Sequence, residues 1–227
     1  MNNIINIYDL NIGTIIIDLS TIFLLVEMAI HTSIFRRRSW LSDQLFFVLI
    51  ILDIIIASAD AFNYSLEYSS LRFAGIAIIL GDTVFSLAFE AFCLIYTLYL
   101  MCLAGKEVVV RFKWRRYATP MVVVGVVIIG NIFGKYLFYV DDTVTYHFGP
   151  LYYVILLPLF FLIPICIIQI IKMNKKYLII FLGVIFARIL LGIMIRGISS
   201  TSFLFAIGLS YSHVCVMNKN FNLEVGQ

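Results

Sequence analysis

Charge is scarce in this chain. Of its 227 residues, 16 are Lys or Arg and 13 are Asp or Glu, together 13%, while 63% are hydrophobic. A soluble domain is about a quarter charged and about half apolar, because its surface has to be covered with polar groups. A folded chain with this little charge excludes a water-soluble domain and makes lipid the solvent for most of its surface. Mean hydropathy is +1.04. Cysteine is also sparse: Cys93, Cys102, Cys166 and Cys215 all fall in or at the edge of apolar runs. None sits in a CxxC or Cys/His spacing, which excludes a disulfide framework and a zinc site and leaves them as packing residues.

Several catalytic signatures are missing. There is no GxGD or HExxH pair of an intramembrane protease, no GxSxG elbow and no Walker loop. The last apolar run has no lysine, so there is no Schiff base for retinal. No nucleophile, metal set or cofactor motif is visible, and the reading is of a non-enzymatic protein without a cofactor. Nothing resembles a basic nucleic-acid-binding face. The first ten residues carry only Asp9, so a cleavable signal peptide is not expected and the first run stays as a helix.

What is present is length in the apolar runs. A bilayer core of about 30 Å takes about 20 helical residues. Seven stretches meet this: 11–35, 45–64, 73–103, 117–138, 150–171, 177–195 and 200–217. The last two, joined by a short turn at Arg196 and Gly197, also fit one re-entrant hairpin, with two spans preferred. The expected fold class is all-α, a polytopic bundle of seven transmembrane helices over residues 1–217 with a short cytoplasmic tail, 218–227. Arg36, Arg37, Arg38, Lys106, Arg111, Lys113, Arg115, Arg116, Lys172, Lys175, Lys176 and Lys219 fall on one side; Arg72, Lys135 and Arg196 fall on the other. Positive residues favour the cytoplasm, which sets the N-terminus outside and the C-terminus inside. Tyrosines at the outer loops and Trp40 and Trp114 at the inner ones fit interfacial belts.

Pro120 and Pro150 suit first turns of helices, whereas Pro158 and Pro164 lie inside the fifth span and should kink it. Gly130 and Gly134 form a GxxxG spacing suited to close helix packing. The basic group Arg111, Lys113, Arg115 and Arg116 suits contact with anionic lipid, although orientation alone accounts for it.

Ionisable residues inside the spans carry the functional argument. Asp18, Glu27, Asp53, Asp60, Asp82 and Glu90 are acids within apolar helices, and Arg188 is the firm cation. A charge at the bilayer centre costs at least about 2.5–3.5 kcal/mol on insertion scales, so such groups face the bundle interior. Asp53 and Asp60 are seven apart, and Asp82, Ser86 and Glu90 repeat every four, each set on one helix face. One Arg cannot neutralise six acids. The rest are neutral carboxyls hydrogen-bonded between helices, or they are hydrated, or they hold a cationic ligand. Depth counting separates an outer pocket, Asp18, Asp60, Asp82 and Arg188, from an inner polar relay, Glu27, His31, Asp53, Glu90 and His213. The loop 139–149 would lie over the pocket as a lid. Its His147, near Asp141 and Asp142, could take a metal, but reads first as a solvated loop residue.

Three stretches carry a family resemblance: Ile7-Tyr-Asp-Leu-Asn11, Arg37-Arg-Ser-Trp-Leu-Ser-Asp-Gln-Leu45 with Asp53 and Asp60 following, and Asn131 to Tyr153, with Leu137-Phe-Tyr-Val-Asp141 and Phe148-Gly-Pro-Leu-Tyr-Tyr153. The pattern resembles the seven-helix N-terminal membrane module of bacterial sensor proteins, which precedes a GGDEF diguanylate cyclase or histidine kinase domain. The resemblance implies an input module in a bacterial cell membrane. Such a module perceives a small ligand or ion and relays the signal. No output domain follows Asn218–Gln227 in this sequence, so the chain acts through a separate cytoplasmic signalling protein, or is a remnant, or is a piece of something longer, and no cyclase or kinase activity carries over. The alternative is a small proton- or cation-coupled transporter with the polar stripe as its path. A third is a scaffold subunit of a larger membrane complex.

Overall fold

The computed structural model describes residues 7–35, 41–67, 69, 71–173 and 206–209. They form α1 (Ile7–Phe35), α2 (Leu41–Leu66), α3 (Ala74–Leu103), α4 (Glu107–Gly134), strands β1 (Phe138–Val140) and β2 (Tyr146–Phe148), a 3-10 turn (Tyr152–Leu156) and α5 (Leu157–Met173). The described residues are therefore almost all helical, with one hairpin, 138–148, that hydropathy could register only as a loop. Among the described residues, five helices are long and apolar enough to cross a membrane. Spans six and seven, 177–195 and 200–217, lie outside the described residues except for 206–209. Those four are helical, and Ala206 and Leu209 are buried in the core.

The helices are inverted relative to those of a soluble protein. On α1 the exposed row is Ile12, Ile16, Leu19, Phe23, Val26 and Ile30, and the buried row is Thr14, Asp18, Thr21, Leu25 and Thr32. Both rows step by alternating threes and fours, one stripe of a helix. On α2 the buried stripe is Ser42, Phe46, Leu49, Asp53, Ile56, Asp60 and Asn63, again at the 3.5-residue period that sets one helix along another. Apolar groups facing lipid gain nothing by moving inward. Packing and polar contacts therefore hold these helices together, and the polar residues collect at the interfaces.

α3 is the hub, packing against α2, α4 and α5, while α1 packs on α2. The main core joins Leu25 of α1, Phe46, Leu49, Ile50 and Ile56 of α2, and Ala88, Phe92 and Tyr99 of α3. Near the C-terminal end of α3, Leu98, Met101 and Cys102 meet Val110 of α4. Cys93, Cys102 and Cys166 are free thiols.

Three proline expectations change. Pro150 stands in a turn ahead of the 3-10 helix that begins at Tyr152, not in a first helical turn. Pro120 lies in the middle of α4, not in its first turn, because the helix begins at Glu107 and carries its charged turns before the apolar stretch. Hydropathy marks where lipid begins, not where the helix does. Pro158 is in the first turn of α5, where its missing N–H removes no helical bond; the break falls between the 3-10 turn and Leu157. Pro164 alone stands inside α5. The Gly130/Gly134 notch is not open to another helix: the ring of Tyr136 lies over it, and the Tyr136 hydroxyl donates to the Val127 carbonyl at 3.3 Å.

Candidate functional site: an acidic seam under the outer hairpin

α4 ends in Lys135, left-handed at φ 53°, and Asn131 turns the chain back. Its amide donates to the Phe138 carbonyl at 2.9 Å, and its Oδ1 accepts from the Leu137 and Phe138 N–H at 2.7 and 3.4 Å. Strands β1 and β2 then pair antiparallel, Phe138 with Phe148, Tyr139 with His147 and Val140 with Tyr146. Gly149 closes the motif. Its N–H donates to the Leu137 carbonyl at 2.7 Å, and a Cβ there would overlap the Tyr136 backbone.

The hairpin tip is organised by Asp141. Its Oδ1 accepts from the Thr143 N–H, the Thr143 hydroxyl and the Thr145 N–H at 2.9, 2.6 and 3.0 Å. Its Oδ2 faces His147 Nε2 at 2.9 Å. The Thr143 hydroxyl first, then His147 and the Thr145 N–H, hold this carboxyl below the usual carboxylate range. Val144 adopts φ 58°, costly for a β-branched residue. Its side chain packs with Val140 and Tyr146 on Leu66, Ala74 and Ile78, where α2 ends and α3 begins. The 139–149 stretch thus covers the place where the sequence put a lid.

Strand alternation sends His147 outward and Tyr146 down. The Tyr146 hydroxyl meets Asp82 of α3. Burial, and after it the Asp82 charge, pushes the Tyr146 phenol up. Asp82 Oδ1 also accepts from Asn63 Nδ2 of α2 at 2.7 Å. Gly81 makes this possible, since any Cβ there would overlap the Asn63 amide. Asp60, one turn from Asn63, lies near enough to Asp82 for their charges to interact. Tyr64 stands among Asp60, Glu67, Asp18 and Asp82.

Of the proposed outer pocket, Asp18, Asp60 and Asp82 are therefore brought together, and Arg188 lies outside the described residues. Of the inner relay, Asp53 lies near enough to Asp18 of α1 for their charges to interact. Glu90 is buried on α3, 3% exposed, with both carboxylate oxygens lacking a hydrogen-bond partner. Glu27 and His31 are exposed on α1, away from its buried stripe, and His213 lies outside the described residues. Sequence reasoning passed over Asn63, Tyr64 and Tyr146. Asn63 had a legible signal, falling on the Asp53–Asp60 face three residues past Asp60. Tyr146 had none, since its reach depends on strand register.

Among the described residues no three His, Cys, Asp or Glu side chains gather as metal ligands. Fold and site together define a helical protein with membrane-suited helices and an acidic, tyrosine-rich seam beneath the hairpin. Comparisons with family models, with curated proteins and with solved structures find no match.

Proposed function

We propose that this chain is a seven-helix sensor of a bacterial cell membrane, with its N-terminus outside and its C-terminus in the cytoplasm. It perceives a ligand at the outer seam and relays the signal to a cytoplasmic partner. The observation that carries the reading is the Tyr146–Asp82–Asn63 chain of contacts, in which an outer hairpin, α3 and α2 meet at one buried acid. A ligand at Asp82 competes with the hairpin for it, and differential affinity for the two arrangements is all that a receptor requires. α3 then reaches from this contact to the turn at Gly105, beyond which the charged, exposed start of α4, Arg111 to Arg116, faces a partner or the headgroups. The resemblance to sensor input modules agrees with this division of labour.

The reading is tested by thermal unfolding of the detergent-purified protein with a panel of small metabolites. A compound that stabilises wild type but neither Asp82→Asn nor Arg188→Ala supports a pocket at these residues. The sensor reading fails if no compound acts and both variants unfold as wild type does.

A second reading, a proton- or cation-coupled transporter, draws on a different feature. Thr83, Ser86, Glu90 and Thr97 are buried along α3; Thr97 meets Cys166 of α5 at 3.3 Å, and Gln169 is buried one turn further on. This row runs toward the inner side along α5 rather than toward Glu27 and His31. Proton or cation flux into proteoliposomes that Glu90→Gln abolishes favours transport over sensing.

A further inference from the structure

The hairpin end of the bundle carries a surface that the acidic seam does not use. β1 packs on α3, and its Phe138 is 1% exposed. Phe148 is paired with Phe138 across the hairpin and so shares its face, yet it is 65% exposed. β2 therefore overhangs the edge of the bundle and leaves Phe148 uncovered. Its ring lies 4.3 Å, centre to centre, from that of Tyr152, which begins the 3-10 turn into α5. Leu151 is exposed beside it, and Tyr153 is 76% exposed. The other face of the hairpin has a different character. There Tyr139 stacks on His147 at 5.2 Å, and Asp141, Thr143 and Thr145 close the tip with polar contacts.

What covers this rim follows from what it joins. A run of large exposed apolar side chains marks a surface suited to another apolar phase. The rim continues into Leu157, Phe160 and Phe161, exposed on α5, and a membrane-suited span begins at Tyr152. The rim thus stands at the mouth of a lipid-facing surface, where hydrocarbon gives way to headgroups. The neighbouring helix ends repeat the pattern. Phe73 at the start of α3 and Phe133 at the end of α4 are exposed. Each has an exposed cation within two residues, Arg72 and Lys135. A phospholipid interface takes this combination, because aromatic rings sit at headgroup level and Arg and Lys reach up to the phosphates. The clusters come from three connections at one end of the bundle, α2 to α3, α4 to β1 and β2 to α5. A bilayer meets that whole end at one depth.

We propose that the rim of Phe148, Leu151 and Tyr153, with Phe73 and Phe133 beside it, is a lipid-docking surface that seats the hairpin in the headgroup layer of the bilayer. Tyr146 and Phe148 are two apart on one face of β2, so the strand that reaches Asp82 is also the strand that the bilayer holds. The surface rests on the membrane-spanning reading alone. A metabolite panel that finds no ligand for the seam leaves it standing.

The test is fluorescence quenching of the full chain in phosphatidylcholine vesicles. With Trp40 and Trp114 replaced by Phe, a single tryptophan is placed on the rim as Phe148→Trp or on the polar face as Tyr139→Trp. Lipid brominated near the headgroup end of its chains should quench Phe148→Trp several-fold more than Tyr139→Trp. Iodide, present on both sides of the membrane, should quench them in the reverse order. Adding Leu151→Ser and Tyr153→Ser should make Phe148→Trp as open to iodide as Tyr139→Trp. A Phe148→Trp reached by iodide and not by bromine puts the rim in water and overturns the proposal. Quenching by neither means that protein covers the rim, from this chain or a second copy, and overturns it as well. So does a tryptophan that stays in lipid after both neighbours are made polar, since the probe and not the rim then seats the hairpin.

Discussion

At Asp141, three donors converge on one carboxylate oxygen and an imidazole faces the other. The contacts favour the ionised form, so the folded hairpin holds this proton less tightly than the unfolded chain. Its contribution is present above the ordinary carboxylate range, about pH 4, and is lost as pH falls below it. Protection of the amides across 138–148, relative to their intrinsic exchange rates, should therefore fall in acid, and Asp141→Asn should make it low and independent of pH. An acid-insensitive wild type would remove Asp141 from this role. The sequence showed Asp141, Asp142 and His147 as a charged outer loop and suggested metal as one use. It could not show that neighbouring Thr143 and Thr145 satisfy the carboxylate, because that depends on a tight turn with Val144 left-handed. Among the intramembrane acids the same limit applies in another form. Spacing identified Asp53 and Asp60 as one face, but the pairing of Asp53 with Asp18 requires knowing how α1 is rotated.

Between elements, two small features set the geometry. Asn131 holds the exit of α4 to β1 with three hydrogen bonds while wholly buried. Replacing it by Ala strands buried backbone donors at about 1–3 kcal/mol each. Asn131→Ala should lower the midpoint of thermal unfolding clearly, with Asn131→Asp intermediate because it accepts but cannot donate. Gly81 lets α2 and α3 approach at the Asn63–Asp82 bond. Gly81→Ala should dislodge Asn63 and destabilise by about 1–3 kcal/mol, the range for overpacking, and Asn63→Ala made in addition should cost little more. Additive losses would show that the two are independent. Helix existence was well legible here, because about 20 apolar residues have few other uses. Helix ends were not: α4 starts ten residues before its apolar stretch, at Glu107, since backbone hydrogen bonding continues through charged turns outside the lipid. The three-residue strands were below what any pattern resolves.

For the whole molecule, the helical, membrane-suited character was legible in composition alone, while the order of packing was not. α3 became the hub because it buries residues on several faces, Gly81, Thr83, Ser86, Ala88 and Phe92 among them. A hydropathy trace weights all faces equally. The orientation can be checked directly. In a cysteine-free background, Thr143→Cys should react with a membrane-impermeant maleimide on intact cells, and Lys113→Cys only after permeabilisation. The reverse result would turn the bundle over and place the acidic seam on the cytoplasmic side.

The ring of Tyr136 over Gly130 and Gly134 has a consequence for assembly. A small-residue groove ordinarily lets two identical helices zip together, but here the chain has stoppered its own groove. Any pairing of copies is therefore pushed to other faces, such as the row Val122, Val126, Ile129 and Phe133 that α4 turns outward. Tyr136→Ala should pull the stopper and create a new dimer on cross-linking in bilayers. The same residue whose carbonyl accepts from the Leu151 N–H at the base of the hairpin thus decides which face of α4 another molecule can meet.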